Sequence, residues 1–109
     1  MTYFLSVPAT TDGMLWLVTA KEYVEKTGGK TVFDIRNGKT KLFIPEFDVL
    51  CVYKPDTRHE VWFMVGVALA RGVQVYIFDP VNGFSKNPYA TLCHTFHTLT
   101  LLDVMNGNM

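Results

Sequence analysis

The chain has 109 residues, enough for one domain with a buried core and too few for a second lobe. Ten acidic residues balance ten basic ones, and the only mixed basic stretch is Arg36–Lys41, so the chain lacks the electrostatic footprint of a nucleic-acid binder. Its apolar content is 49% and its charged content 18%, below the ~25% of an ordinary globular domain, which predicts a surface partly hidden in a homo-oligomer.

Met1–Pro8 lacks a positive n-region and is too short to span a bilayer. Cys51 and Cys93 both sit inside apolar patterns. Together these features predict a protein of the reducing cytoplasm with no membrane partner.

Tyr3–Val7 (YFLSV) is a short apolar run stopped by Pro8 and reads as a first buried strand leading into the loop Ala9–Gly13. From Met14 to Lys26 the pattern is helical: Leu15, Val18 and Thr19 fall at the i, i+3, i+4 spacing, with Glu22, Tyr23 and Lys26 continuing around the surface. Asp12 fits the N-cap and Gly28–Gly29 the stop. Thr31–Ile35 is a second strand, and Asn37–Gly38 is a turn signal that would fold Lys41–Ile44 back as a hairpin partner. That turn leaves only Lys39–Phe47, with Pro45 inside it, where a regular α/β repeat needs a helix. The crossover between the second and third strands is therefore abbreviated.

The stretch from Asp48 to Asp79 holds the clearest pattern: an apolar run Val49–Tyr53, a capped helix pattern Thr57–Arg71, and a second apolar run Val73–Phe78. Two buried strands joined by one helix form a right-handed crossover of a parallel sheet, an α/β arrangement. Beyond Asp79–Pro80, the loop Val81–Pro88 precedes a short last helix, Tyr89–His97, and a terminal strand, Thr98–Val104.

Parallel sheets bind ligands at the carboxyl ends of their strands, here Tyr53–Thr57 and Phe78–Gly83. Ser6, Thr10, Thr11 and Asp12 follow the first strand, Asp56 the third, and Asp79, Asn82 and Gly83 the fourth, so all face one crevice. Singly each is also what a turn requires; together they point to a small-molecule pocket. Thr57-Arg58-His59-Glu60 fits a capping box, whose free amides form an anion site with Lys54 and Arg58 adding charge. Glu60 is thus either the cap partner or a catalytic carboxylate.

Metal binding finds little support. A zinc-protease helix needs a second His four residues after His59, and that position is Phe63. Cys93, His94 and His97 form the other cluster, with His94 and His97 one turn apart if the segment is helical, but no complementary ligand pair accompanies them. No metal and no cofactor is expected.

The segments YFLSVPATTDG and FDVLCVYKPDTRHEVWFMVGVALARGVQVYIFDP resemble the nucleoside 2-deoxyribosyltransferase-like proteins, whose corresponding helix carries Glu-x-Gly-x-Ala before the next strand. Val65-Gly66-Val67-Ala68 and Arg71-Gly72-Val73 reproduce that small-residue framework. The resemblance implies a flavodoxin-like three-layer fold with a small, mostly parallel sheet, a dimer or larger oligomer, and a nucleoside or nucleotide ligand bound across subunits. The family's catalytic Glu stands two residues before the Gly, where this chain has Met64, and a thioether neither attacks an anomeric carbon nor stabilises an oxocarbenium ion as a carboxylate does. Glu60 lies one turn earlier, roughly 6 Å along the axis, beyond the roughly 3–3.5 Å a nucleophile requires.

The expectation is therefore a binding protein with glycosyl transfer lost or altered. Lys54 and Arg58 would meet a phosphate, and Tyr53, His59 and Phe63 would contact the base or sugar. If N-glycosidase or transferase activity persists, Glu60 or Asp56 supplies the carboxylate. The competing reading is a small regulatory or viral protein that engages a protein partner through Trp16, Trp62, Phe84 and Tyr89.

Overall fold

The structure is a computed structural model that describes residues 1–36, 45–54, 59–78 and 94–96. Among these described residues lie five strands, β1 (Thr2–Pro8), β2 (Lys30–Arg36), β3 (Val49–Tyr53), β4 (Gln74–Phe78) and β5 (His94–Phe96), with helices α1 (Thr11–Lys26) and α2 (His59–Ala70). The strands lie in the order β2-β1-β3-β4-β5, and every pairing is parallel. This is the flavodoxin-like order, an α/β fold of three layers.

The two helices cover opposite faces of the sheet. Leu17, Ala20 and Val24 of α1 pack with Leu5, Val7, Val49, Cys51 and Phe78. On the other face Val61, Met64, Val65 and Ala68 of α2 pack with Phe4, Leu50, Val52 and Ile77. The VLCVY run of β3 therefore buries both of its faces, which is why it reads as continuous rather than alternating. Each fully buried aliphatic side chain there contributes about 1.5–3 kcal/mol.

The apolar face of α1 differs from the expected one. Gly13, Leu17, Ala20 and Val24 point inward, at spacings of four, three and four residues, whereas Leu15 is 65% and Val18 62% exposed. The small residues decide the matter. A Cβ on Gly13 would stand 2.3 Å from the Pro8 carbonyl oxygen, so that position alone lets α1 pack this closely on the end of β1. The cap is also shifted: Thr10, not Asp12, is the N-cap, and its Oγ1 accepts from the Gly13 amide at 3.2 Å.

Both helices end in the same way. Gly28 (φ 87°) and Gly72 (φ 74°) adopt left-handed backbone just past the helix ends. In α1 the Gly29 amide donates to the Val24 carbonyl and that of Gly28 to Glu25. In α2 the Val73 amide donates to Ala68 and that of Gly72 to Leu69. These are Schellman closures, and Val73 packs on the core beside Ala68 as that motif favours.

Residues 37–48 join β2 to β3. Pro45–Asp48 contains no helix, and Asp48 staples β3 to β1: its amide donates to the Thr2 carbonyl at 2.8 Å and its Oδ2 accepts from the Thr2 amide at 2.7 Å. The expected hairpin partner Lys41–Ile44 and terminal strand Thr98–Val104 lie outside the described residues. The expected last helix, Tyr89–His97, is corrected in its described part: His94–Phe96 is strand β5, paired with Tyr76–Phe78. A β-branched and an aromatic residue beside an open strand edge favour the ladder over a helix.

Replacing Gly13 with Ala tests the α1 packing. Better helix propensity favours Ala by at most about 1 kcal/mol, while overpacking against backbone costs about 1–3 kcal/mol. The expected outcome is a net loss of stability in urea unfolding; an unchanged midpoint would overturn the assigned close approach.

Candidate functional site

The chain leaves β1 toward β2 on one side and leaves β3 toward β4 on the other, so the carboxyl ends of the adjacent strands β1 and β3 flank the topological switch point. Lys54, directly after β3, has φ 46°, an uncommon value for a residue with a side chain. Three elements hold it there. Its amide donates to the Phe78 carbonyl at 2.8 Å, its carbonyl accepts from Arg36 Nη2 at 2.9 Å, and its Nζ lies 2.5 Å from Asp12 Oδ2.

Asp12 is the second centre. Its Oδ1 accepts from Thr10 Oγ1 at 2.7 Å and its Oδ2 accepts from the Tyr53 hydroxyl at 3.3 Å. The hydrogen bond from Lys54, then that from Thr10, hold the Asp12 carboxyl down at a pKa of about 2. The same bond from Asp12 raises the pKa of Lys54, and partial burial followed by the nearby Asp12 charge raises that of the Tyr53 phenol. At neutral pH the trio is a carboxylate, an ammonium and a neutral phenol.

An aromatic wall adjoins the trio on the α1 side. Trp16 stacks on Tyr53 with ring centroids 5.1 Å apart and 15° between planes, and tilts against Phe78 at 5.4 Å. Trp16, one of the aromatics that the competing reading assigns to a protein partner, is half-buried on the α1-face core.

The α2 side of the switch point is polar and buried. Ser6, Asp34 and Arg36 are the buried polar side chains among the described residues. Arg36 Nη2 donates to the carbonyl oxygens of Tyr53 and Lys54. Sequence reading singled out Ser6 but passed over Asp34 and Arg36. The signal was there in the period of two: Val32, Asp34 and Arg36 share one face of β2, and Val32 packs on the α2-face core.

The structure thus gathers Thr10, Asp12, Tyr53 and Lys54 into one network, places Ser6 beneath them on the other face, and sets Thr11 exposed at the start of α1. It does not bring Phe63 to this group: Phe63 is 60% exposed on α2, across the sheet from Trp16. His59 and Glu60 open α2, and the positions of their side chains lie outside the described residues, as do Asp56, Arg58, Asp79, Asn82 and Gly83. Of the proposed metal cluster, His94 lies on β5, so the helical turn that would pair it with His97 is not formed; Cys93 and His97 lie outside the described residues. Among the described residues no group of His, Cys, Asp or Glu is arranged to hold a metal ion.

A groove of about 470 Å³ opens at the opposite, amino ends of the strands, lined by Thr2, Glu46, Phe47, Asp48, Arg71 and Val73. Two of its charges serve the fold: Asp48 holds the Thr2 amide, while Arg71 donates to the Pro45 carbonyl at 3.0 Å and lies over the Phe47 ring. The switch point, where charge and aromatic surface meet, is the better candidate.

Compared with protein-family models, curated proteins and solved structures, the chain matches none. No helix among the described residues is long and apolar enough to cross a membrane.

The Asp12 carboxyl titrates below its ordinary 3.8 in the folded protein, so the unfolded chain binds the proton more readily. The stability contributed by the Asp12 network is full above about pH 4 and is lost as pH falls toward 2. The difference in melting temperature between the native protein and Asp12→Asn should therefore be largest near neutrality and shrink below pH 4. A difference independent of pH would exclude the ion pair as its source.

Proposed function

We propose that this protein binds a nucleoside or nucleotide in the crevice between the ends of β1 and β3, and that it does not transfer the glycosyl group. The observation that carries the reading is the ring stack of Trp16 on Tyr53 beside the Asp12–Lys54 ion pair, all at the switch point. A flat heterocycle finds an aromatic wall there, and the neighbouring carboxylate, ammonium and phenol offer both acceptors and donors for ring or sugar hydroxyl groups.

Loss of transfer rests on Met64. In the family this chain resembles, that position bears the carboxylate nucleophile; here Met64 is buried in the α2-face core with Phe4, Val65 and Ala68. A side chain spent on packing supplies neither a nucleophile nor charge for an oxocarbenium ion.

Titration calorimetry with a panel of nucleosides and their 5′-monophosphates tests the reading. Binding is expected, and Trp16→Ala should weaken it about tenfold, the lower range of one base–aromatic stack at 1–3 kcal/mol. No heat with any member at millimolar concentration would refute it, and release of free base during incubation would show that transfer or hydrolysis survives.

Self-association is a second reading, favoured by the exposed Leu15 and Val18 one turn apart on the outer face of α1. Light scattering should show an oligomer that Leu15→Glu with Val18→Glu dissociates. A monomer at all concentrations, co-purifying with one stoichiometric protein, would instead support the regulatory alternative.

A further inference from the structure

Helix α2 carries apolar stripes on two opposite sides. Val61, Met64, Val65 and Ala68 face the sheet and fill its core. Phe63, Gly66, Val67 and Ala70 repeat the same i, i+3, i+4, i+7 spacing on the far side of the helix, at about 100° per residue. Phe63 is 60% exposed, Gly66 and Ala70 are exposed, and Val67 is half-buried outside the core. No charged residue occurs between Glu60 and Arg71. A helix that is apolar all round belongs inside a structure, yet the outer stripe of α2 stands open.

Helix α1 is built differently. Beside the exposed Leu15 and Val18 its outward surface bears the exposed Thr19, Lys21, Glu22, Glu25 and Lys26, with Lys26 paired to Glu22 at 3.2 Å. An unbroken apolar stripe is the stronger mark of an interface.

We infer that the outer face of α2 is an interface between two copies of this chain, packed as an antiparallel pair of α2 helices about a two-fold axis. The inference is independent of what the crevice at the strand ends holds.

Self-complementarity names the occupant. In a two-fold interface residue i meets j and j meets i. An axis passing between Gly66 and Val67 sets Phe63 of each copy level with Ala70 of the other and Gly66 level with Val67, so every large side chain meets a small one. A Cβ added at Gly66 would meet nothing within 4 Å, so this position is an open notch, and with Ala70 one turn on it lets a second helix approach closely.

Charge agrees with the direction. Glu60 stands at the start of α2 and Arg71 directly after its end. Antiparallel packing brings each acidic start beside the basic end of the other copy and opposes the two helix dipoles, whereas parallel packing brings like charge beside like and ring against ring. A helix of 12 residues makes a contact about 18 Å long, at the small end of interfaces, so monomer and dimer should exchange at micromolar concentration.

Sedimentation over a concentration series tests the interface. The native chain should dimerise, and Phe63→Glu should weaken the dimer about tenfold or more by burying an unpaired charge, while the melting temperature of the dilute monomer stays unchanged because the ring is exposed. Gly66→Gln should weaken it as well and leave the monomer as stable or more so, since glutamine is the better helix former. Exchange tests the register: Phe63→Ala opens a hole opposite Ala70, Ala70→Phe sets ring against ring, and the two together should restore the native dissociation constant to within about threefold.

A monomer at all concentrations would overturn the inference. Leu15→Glu with Val18→Glu acts on the opposite face of the sheet, so an oligomer that it dissociates and Phe63→Glu does not would give self-association to α1 and overturn it too. A complex that depends on Phe63 but holds a different protein in place of the second copy would overturn the occupant. Failure of the exchanged pair to restore a dimer that both single variants weaken would overturn the antiparallel register.

Discussion

The fixing of Lys54 is the constraint on which the rest of the crevice depends. A left-handed backbone at a residue with a side chain costs about 1 kcal/mol or more, and three neighbours hold the residue in that conformation. The amide closes onto β4 through Phe78, the carbonyl onto β2 through Arg36, and the ammonium onto the first turn of α1 through Asp12. The turn out of β3 is thereby tied to strands on both of its sides and to the helix that follows β1. Without it, the Asp12 carboxylate would lose its strongest partner.

The switch point acquires two different sides as a result. Pleating sends Tyr53 toward α1, where Trp16 stacks on it, whereas the backbone carbonyls at the same strand end accept from Arg36. A domain this small has few places to bury polar groups, and the rest of its described core is built from aliphatic and aromatic side chains with Cys51 and Met64. Ser6, Asp34 and Arg36 at one end of β1 and β2 therefore stand against the general trend of burial. Part of the arginine's cost is recovered as a strap from β2 to β3. The serine hydroxyl recovers nothing inside the fold.

Local patterns carried much of this architecture in the sequence. The crossover from Val49 to Phe78 was legible because its strands are apolar on both faces and its helix stops at a glycine, and parallel pairing followed from that alone. The orientation of α1 was not: Leu15 and Val18 have the stronger hydropathy, but close approach to Pro8 favours the face that bears Gly13 and Ala20. Sterics between two segments left no trace in the periodicity of one. The N-cap shows the same ambiguity on a smaller scale, since Thr10 and Asp12 are both good caps and only the path of the chain from Pro8 selects the threonine. Asp12 and Lys54 stood among the candidates as separate loop residues, while the bond between them depends on the strand order. Arg36 was the least legible, because its partners lie two strands away.

Met64 is a packing residue of the α2-face core. A glutamate in that position would have to be desolvated among Phe4, Leu50 and Val65, so the substitution Met64→Glu would place a carboxylate in an apolar core. The α2 surface has been given over to packing along its Val61, Met64, Val65 and Ala68 stripe. Whatever polar chemistry remains near β3 is concentrated before that stripe begins, at Lys54 and at the strand ends beside it. At that end an aromatic wall adjoins one ion pair, in which the Asp12 carboxylate is held by Lys54, while the Asp34 carboxylate is buried on the other face.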